Sequence, residues 1–211
     1  MSSMSKMLKQ CRKPTGWPGR TLARGMNLNH SKVTDWGLSH ISIGDYDKVL
    51  DIGCGGGGTI HKLAKIVTMG KIHGIDYSED SVRISKNTNK VAIQAGYVEI
   101  RQGSVSSLPF PEDMFDLITA IETHYFWPEL INDMKEVLRV LKPGGTLIMI
   151  GGEYKGGKYD KRNQKWVEIG NMTYHTEDEF KGIFSLAGYI DVRVFEDYDR
   201  GWICGLGKKS K

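Results

Sequence analysis

From Lys48 onward, short apolar runs alternate with helix-like stretches, the pattern of βαβ units built on a parallel sheet. Lys48 to Ile52 reads as a first strand, Lys71 to Ile75 as a second, Tyr97 to Arg101 as a third, Phe115 to Ile121 as a fourth and Thr146 to Ile150 as a fifth. Thr59 to Val67 is helical in period. Ser78 caps a longer helix with Glu79 and Asp80 in its first turn, where the helix dipole favours acids, and Gly96 marks where it stops. The clearest helix runs from Pro128 to Leu141: proline suits its first turn, and Leu130, Met134, Val137, Leu138 and Leu141 fall on one stripe. Lys142-Pro-Gly-Gly145 ends it. Ahead of the first strand, Val33, Trp36, Leu38 and Ile41 suit a helix from Ser31, its cap, to Ile43.

The last third changes character. Thr176 caps a helix from Glu177 to Leu186 that closes near Gly188, and Ile190 to Phe195 and Trp202 to Leu206 form two strands across a short polar turn, an antiparallel hairpin at the end of the sheet. Residues 151 to 175 fit neither period and read as an irregular insertion facing substrate. These elements predict an α/β fold with a Rossmann-like seven-stranded sheet, mostly parallel with a C-terminal antiparallel hairpin and helices on both faces. Residues 26–211 are expected to form a single domain, preceded by a basic tail over residues 1–25 that is flexible or acts as a lid.

Composition narrows the setting. The 211 residues carry 29 lysines and arginines against 25 acids, and much of the net charge of +4 comes from basic ends, so nucleic acid is not the expected partner. No apolar run is long enough to span a bilayer, and Cys11, Cys54 and Cys204 have neither disulfide nor zinc spacing, so a cytoplasmic protein with no membrane partner and no metal is expected. The oligomeric state is left open.

The chemistry begins at Val49-Leu-Asp-Ile-Gly-Cys-Gly-Gly-Gly-Gly58. A strand that ends in glycines and opens into a helix lets backbone N–H groups approach a nucleotide, and Gly53, Gly55 and Gly58 satisfy G-x-G-x-x-G. Asp76, closing the second strand about 20 residues on, is placed to accept hydrogen bonds from ribose hydroxyls. Asp51 in front of the glycines would repel a pyrophosphate and suits a ligand carrying an amine and a sulfonium.

Together with Gly74-Ile-Asp-Tyr-Ser, Leu108-Pro-Phe, Phe115-Asp-Leu-Ile and Leu141-Lys-Pro-Gly-Gly-Thr-Leu, this strand resembles the class I S-adenosylmethionine-dependent methyltransferases with a type 11-like domain. The resemblance implies S-adenosylmethionine as cofactor and S-adenosylhomocysteine as product. Gly53 and Gly55 would lie against the methionine part with Asp51 near its amine, Asp76 would hold the ribose and Tyr77 would flank the adenine. Where the family has an acidic residue near the adenine amino group this chain has Gly103-Ser104-Val105, so the Ser104 hydroxyl and the Val105 backbone stand in its place.

Methyl transfer from a sulfonium is an in-line displacement that alignment can accelerate, with a base needed only when the acceptor loses a proton in the reaction. The topology places the end of the fourth strand, Glu122-Thr-His-Tyr-Phe-Trp127, toward the methyl group, which makes Glu122 and His124 the candidate acid–base groups and Tyr125 a third candidate. Tyr154, Tyr159, Trp166, Tyr174 and His175 from the insertion, with Trp17, His30 and Trp36, would line a small aromatic acceptor pocket. No Asn-Pro-Pro-Tyr or Pro-Cys follows the fourth strand, so a small molecule is the expected acceptor. Two rivals stay open: a non-catalytic cofactor-binding partner or regulatory subunit, and an NAD-dependent oxidoreductase, which leaves Asp51 unexplained.

Overall fold

The computed structural model describes residues 30–211; the basic tail, Cys11, Trp17 and the boundary near Met26 lie outside the described residues. Seven strands make one mixed sheet, as the alternating pattern predicts. The chain divides into two compact units, residues 1–104 and 105–211.

In the first unit, α1 (Ser31–Leu38) precedes β1 (Lys48–Ile52), α2 (Gly58–Leu63), β2 (Lys71–Asp76), α3 (Glu79–Thr88), α4 (Lys90–Gln94) and β3 (Val98–Gln102). β2 lies between β1 and β3, parallel to both. Crossover helices cover such strands, so β1 and β2 are buried almost throughout, and Val49, Leu50, Ile72 and Ile75 are fully buried or nearly so. Three expectations need correction. His30, not Ser31, holds the cap position of α1, and the helix ends at Leu38, where the Ser39 hydroxyl donates back to the Trp36 carbonyl at 2.6 Å. The helix after β1 begins at Gly58 and ends at Leu63. The helix after Ser78 is broken at Asn89, whose amide turns from the helix axis to donate to the Gly57 carbonyl at 3.0 Å.

In the second unit, β4 (Phe115–Ile121) leads through a 3₁₀ turn (His124–Phe126) to α5 (Leu130–Val140), β5 (Leu141–Gly151), α6 (Asp160–Gly170), α7 (Glu177–Leu186), β6 (Ile190–Asp197) and β7 (Trp202–Lys208). β4 and β5 are parallel, while β7 runs antiparallel to both β5 and β6. Lys142-Pro-Gly-Gly145 does not precede the fifth strand but bulges within it: Leu141 already pairs with Phe115, and pairing resumes at Leu117 with Thr146. The Lys142 ammonium binds both carboxylate oxygens of Asp116 at 2.7 Å, so two of the sequence motifs brace each other. Arg139 and Glu136 of α5 likewise tie down Leu108-Pro-Phe through its backbone.

The insertion contains α6, a helix with no apolar stripe to betray it, because the side chain it buries fully is Asn163. Thr176 caps α7, as the sequence predicts, and with Glu179 it closes a reciprocal capping box; Gly188 leaves that helix with φ of 96°.

Candidate functional site: a glycine loop and a buried carboxyl

The loop after β1 turns through three glycines in the left-handed region, Gly53 (φ 69°), Gly55 (φ 50°) and Gly57 (φ 81°), a conformation that costs any L side chain about 1–2 kcal/mol. The third tight position is therefore Gly57, while Gly58 is already helical. A Cβ on Gly57 would lie 2.5 Å from both Ser85 Oγ and Asn89 Nδ2, so the loop sits directly on α3. The sequence reading missed Ser85 and Asn89, and their spacing of four on one helix face is the signal that could have found them. At Gly55 the situation is the reverse: among the described residues a Cβ would meet nothing nearer than the Gly53 carbonyl oxygen at 3.9 Å. That open side lets a ligand reach the backbone.

Asp76 closes β2 beside this loop. Its Oδ2 accepts the Gly55 N–H at 2.9 Å and its Oδ1 accepts the Ser78 N–H at 2.8 Å. Burial raises its carboxyl above the ordinary range while the two amide donors pull it down. Each carboxylate oxygen has two acceptor positions, so one on each stays available to a pair of hydroxyls. Asp51 is 2 % exposed, and its charge and that of Asp76 both act on the Cys54 thiol, which burial keeps protonated. Tyr77 is 40 % exposed, its carbonyl holding the Gln102 side-chain amide at 3.0 Å. Ser104, in the same unit, is exposed; Val105, which opens the second unit, is buried.

In the second unit, Glu122 follows the last residue of β4 with φ of 56°, a strained value for a glutamate. Its N–H donates to the Ile150 carbonyl at 2.8 Å, extending the strand pairing into the strained residue. Its half-buried carboxylate accepts the Tyr125 phenol at 2.5 Å and the Gly152 amide, yet burial still drives it up to about 7. Gly152 packs closely on this carboxyl, and a Cβ there would stand 2.9 Å from Glu122 Oε1.

His124, 4 % exposed, lies against the Phe180 ring, and burial together with repulsion from His175 pushes it down to about 3, so its imidazole is neutral near pH 7. Its Nδ1, the Thr173 hydroxyl and His175 Nε2 are buried without hydrogen-bond partners among the described residues. The Thr173 amide donates to the Tyr125 carbonyl at 3.0 Å, which brings the insertion to the end of β4. Of the insertion's other aromatics, Tyr154 is buried, Tyr174 is bonded to Asp160 at 2.6 Å, Tyr159 lies under the Arg162 guanidinium and Trp166 is half-buried. Among the described residues no cluster of histidine, cysteine and acids is arranged to hold a metal, and no helix is long and apolar enough to cross a membrane.

Residues 50–149 match the family model of the methyltransferase domain. The chain is 32 % identical over 129 residues to cycloartenol-C-24-methyltransferase 1 of Oryza sativa subsp. japonica, covering 59 % of this chain but 37 % of the rice protein. It is 27 % identical over 170 residues to demethylmenaquinone methyltransferase of Staphylococcus carnosus, covering 70 % of this chain and 69 % of that one. In fold it is similar to a chain of the complex between the Haloferax volcanii Trm112 methyltransferase activator and the putative methyltransferase, with a TM-score of 0.78 at 20 % identity over 100 % of this chain and 99 % of that one. It is also similar to a SAM-dependent methyltransferase from Aquifex aeolicus, with a TM-score of 0.67 at 22 % identity over 84 % and 97 %. The domain match over residues 50–149, with these relatives and the shared fold, supports a class I S-adenosylmethionine-dependent methyltransferase. S-adenosylmethionine is the cofactor of that family, and the Asp76 and Gly55 geometry fits it.

Proposed function

We propose that this chain transfers a methyl group from S-adenosylmethionine to a small-molecule acceptor by in-line displacement, with residues 26–211 as one methyltransferase domain in a cytoplasmic setting. The observation that carries the reading is Asp76, a buried carboxylate that organises the glycine loop through Gly55 and keeps acceptor positions for a ribose. Asp51, Gly53, Gly55, Asp76, Tyr77, Ser104 and Val105 are assigned to the cofactor. Glu122, His124 and Tyr125 are assigned to the acceptor end, with Glu122 as the proton acceptor. His124 contributes a neutral imidazole. Bound there, the cofactor supplies a sulfonium methyl whose sulfur leaves neutral.

The relatives support a small acceptor, since cycloartenol and demethylmenaquinone are both small molecules. Calorimetry with S-adenosylhomocysteine and NADH tests the cofactor: the former is expected to bind, and NADH binding without it would install the oxidoreductase reading. Labelled S-adenosylmethionine incubated with a metabolite extract tests the transfer. Label in a small-molecule product is expected, and cofactor binding with no transfer to any fraction would favour a non-catalytic subunit.

A further inference from the structure

Glu122 is a half-buried carboxyl with no positive charge beside it among the described residues. Its partners among the described residues are the Tyr125 phenol and the Gly152 amide, both neutral donors. Among the described residues no lysine or arginine forms an ion pair with it, and the imidazole two residues on is held neutral by burial. Nor has the fold avoided the cost of placing it there: the backbone takes a left-handed φ to present this side chain at the carboxyl end of β4, where α/β sheets receive ligands. A carboxylate removed from water without a countercharge is costly unless one is supplied.

The geometry points to a protonated primary or secondary amine as the acceptor received at Glu122, an inference that rests on the methyl-transfer reading above. An ammonium supplies the missing positive charge. A carboxylate or phosphate acceptor would be repelled, and an alcohol would bring one donor and no charge. An ammonium also brings several N–H donors, and each oxygen of the Glu122 carboxylate can accept from more than one. One N–H proton passes from the ammonium to the Glu122 carboxylate, freeing the nitrogen lone pair. That lone pair forms the N–C bond to the sulfonium methyl as the C–S bond breaks, its electrons remaining on sulfur. The products are the N-methylated ammonium, neutral S-adenosylhomocysteine and one proton, which leaves Glu122 for water.

The test uses the full chain saturated with S-adenosylhomocysteine and labelled with ¹³C in its glutamate carboxyls, the Glu122 signal being assigned by its loss in Glu122→Gln. Ethylamine, benzylamine and tyramine are titrated at pH 7 beside ethanol, benzyl alcohol and 4-(2-hydroxyethyl)phenol. At least one amine is expected to move the Glu122 signal and to bind at least tenfold more tightly than its alcohol. Glu122→Gln should weaken that amine at least tenfold, read by calorimetry, while leaving S-adenosylhomocysteine binding intact. Glu122→Asn repeats the measurement with a residue that tolerates the left-handed backbone, should the glutamine variant fold poorly. Alcohols binding as well as amines, no amine binding, or amine binding indifferent to both variants each overturns the inference. Failure to bind S-adenosylhomocysteine counts instead against the methyl-transfer reading, and the same titration without it still reads the amine site.

Discussion

The Asp76 carboxylate accepts the amide of Gly55 at 2.9 Å, joining the end of β2 to the middle of the glycine loop across 21 residues. One side chain therefore shapes the loop and is the one proposed to hold the ribose. Charge-assisted hydrogen bonds are worth about 1.5–3 kcal/mol each, so Asp76→Ala should weaken S-adenosylhomocysteine by about 10- to 100-fold. Asp76→Asn keeps the shape but can accept at one atom only, and it should fall between. Calorimetric titration of the three proteins orders them, and an asparagine variant as tight as the parent would remove the carboxylate from the account.

Gly57 carries a different constraint. A methyl group there meets Ser85 Oγ and Asn89 Nδ2 at 2.5 Å and the Ser85 Cα at 2.9 Å, and φ of 81° is strained for alanine in any case. Gly57→Ala should destabilise the fold by about 2–4 kcal/mol, a sum of overpacking and left-handed strain. Chemical denaturation measures it. Because α3 must move away from the loop, cofactor affinity should fall as well; unchanged stability would mean that the loop and α3 are not in this contact.

Tyr125→Phe isolates the phenol that donates to Glu122 at 2.5 Å. That bond holds the carboxylate down against burial, which already drives it up to about 7. Without it the Glu122 pKa should rise further, and the acid limb of a pH–rate profile should move to higher pH with it. Carboxyl ¹³C titration reads the shift directly in the absence of any substrate. A shift downward would show that the phenol does not stabilise the ionised form.

The strands and the glycine loop were legible because burial on both sides of a sheet leaves runs such as Val49-Leu50 with no polar alternative, and because turns through positive φ admit little but glycine. Helix α6 was not, since it buries Asn163 and leaves its apolar residues half-covered, erasing the period. The assignment of the third glycine slipped by one because a run of four glycines hides which of them is strained. Its left-handed φ and the contact with Ser85 and Asn89 pick out Gly57. The strain at Glu122 had no signal at all: its positive φ comes from pairing with Ile150 and from the tie to Tyr125, and sequence spacing carries neither.

His124 offers a test by linkage. Burial and His175 hold it down to about 3 in the folded protein, below the ordinary histidine value of 6.5. Above pH 6.5 the imidazole is neutral in both folded and unfolded chains and contributes no pH dependence. As pH falls below 6.5 the unfolded chain takes up a proton that the folded one refuses, so stability is lost progressively down to about pH 3. The loss attributable to this residue by pH 4 is at most about 3 kcal/mol. His124→Phe lacks it: the substitution should cost packing against Phe180 at pH 7, yet the parent's advantage should shrink on acidification, while Glu122 and most other titrating groups, present in both proteins, largely cancel. Denaturation curves of the pair at pH 7, 5.5 and 4 measure that difference, and an advantage that stays constant across the three would mean that His124 protonates as readily folded as unfolded.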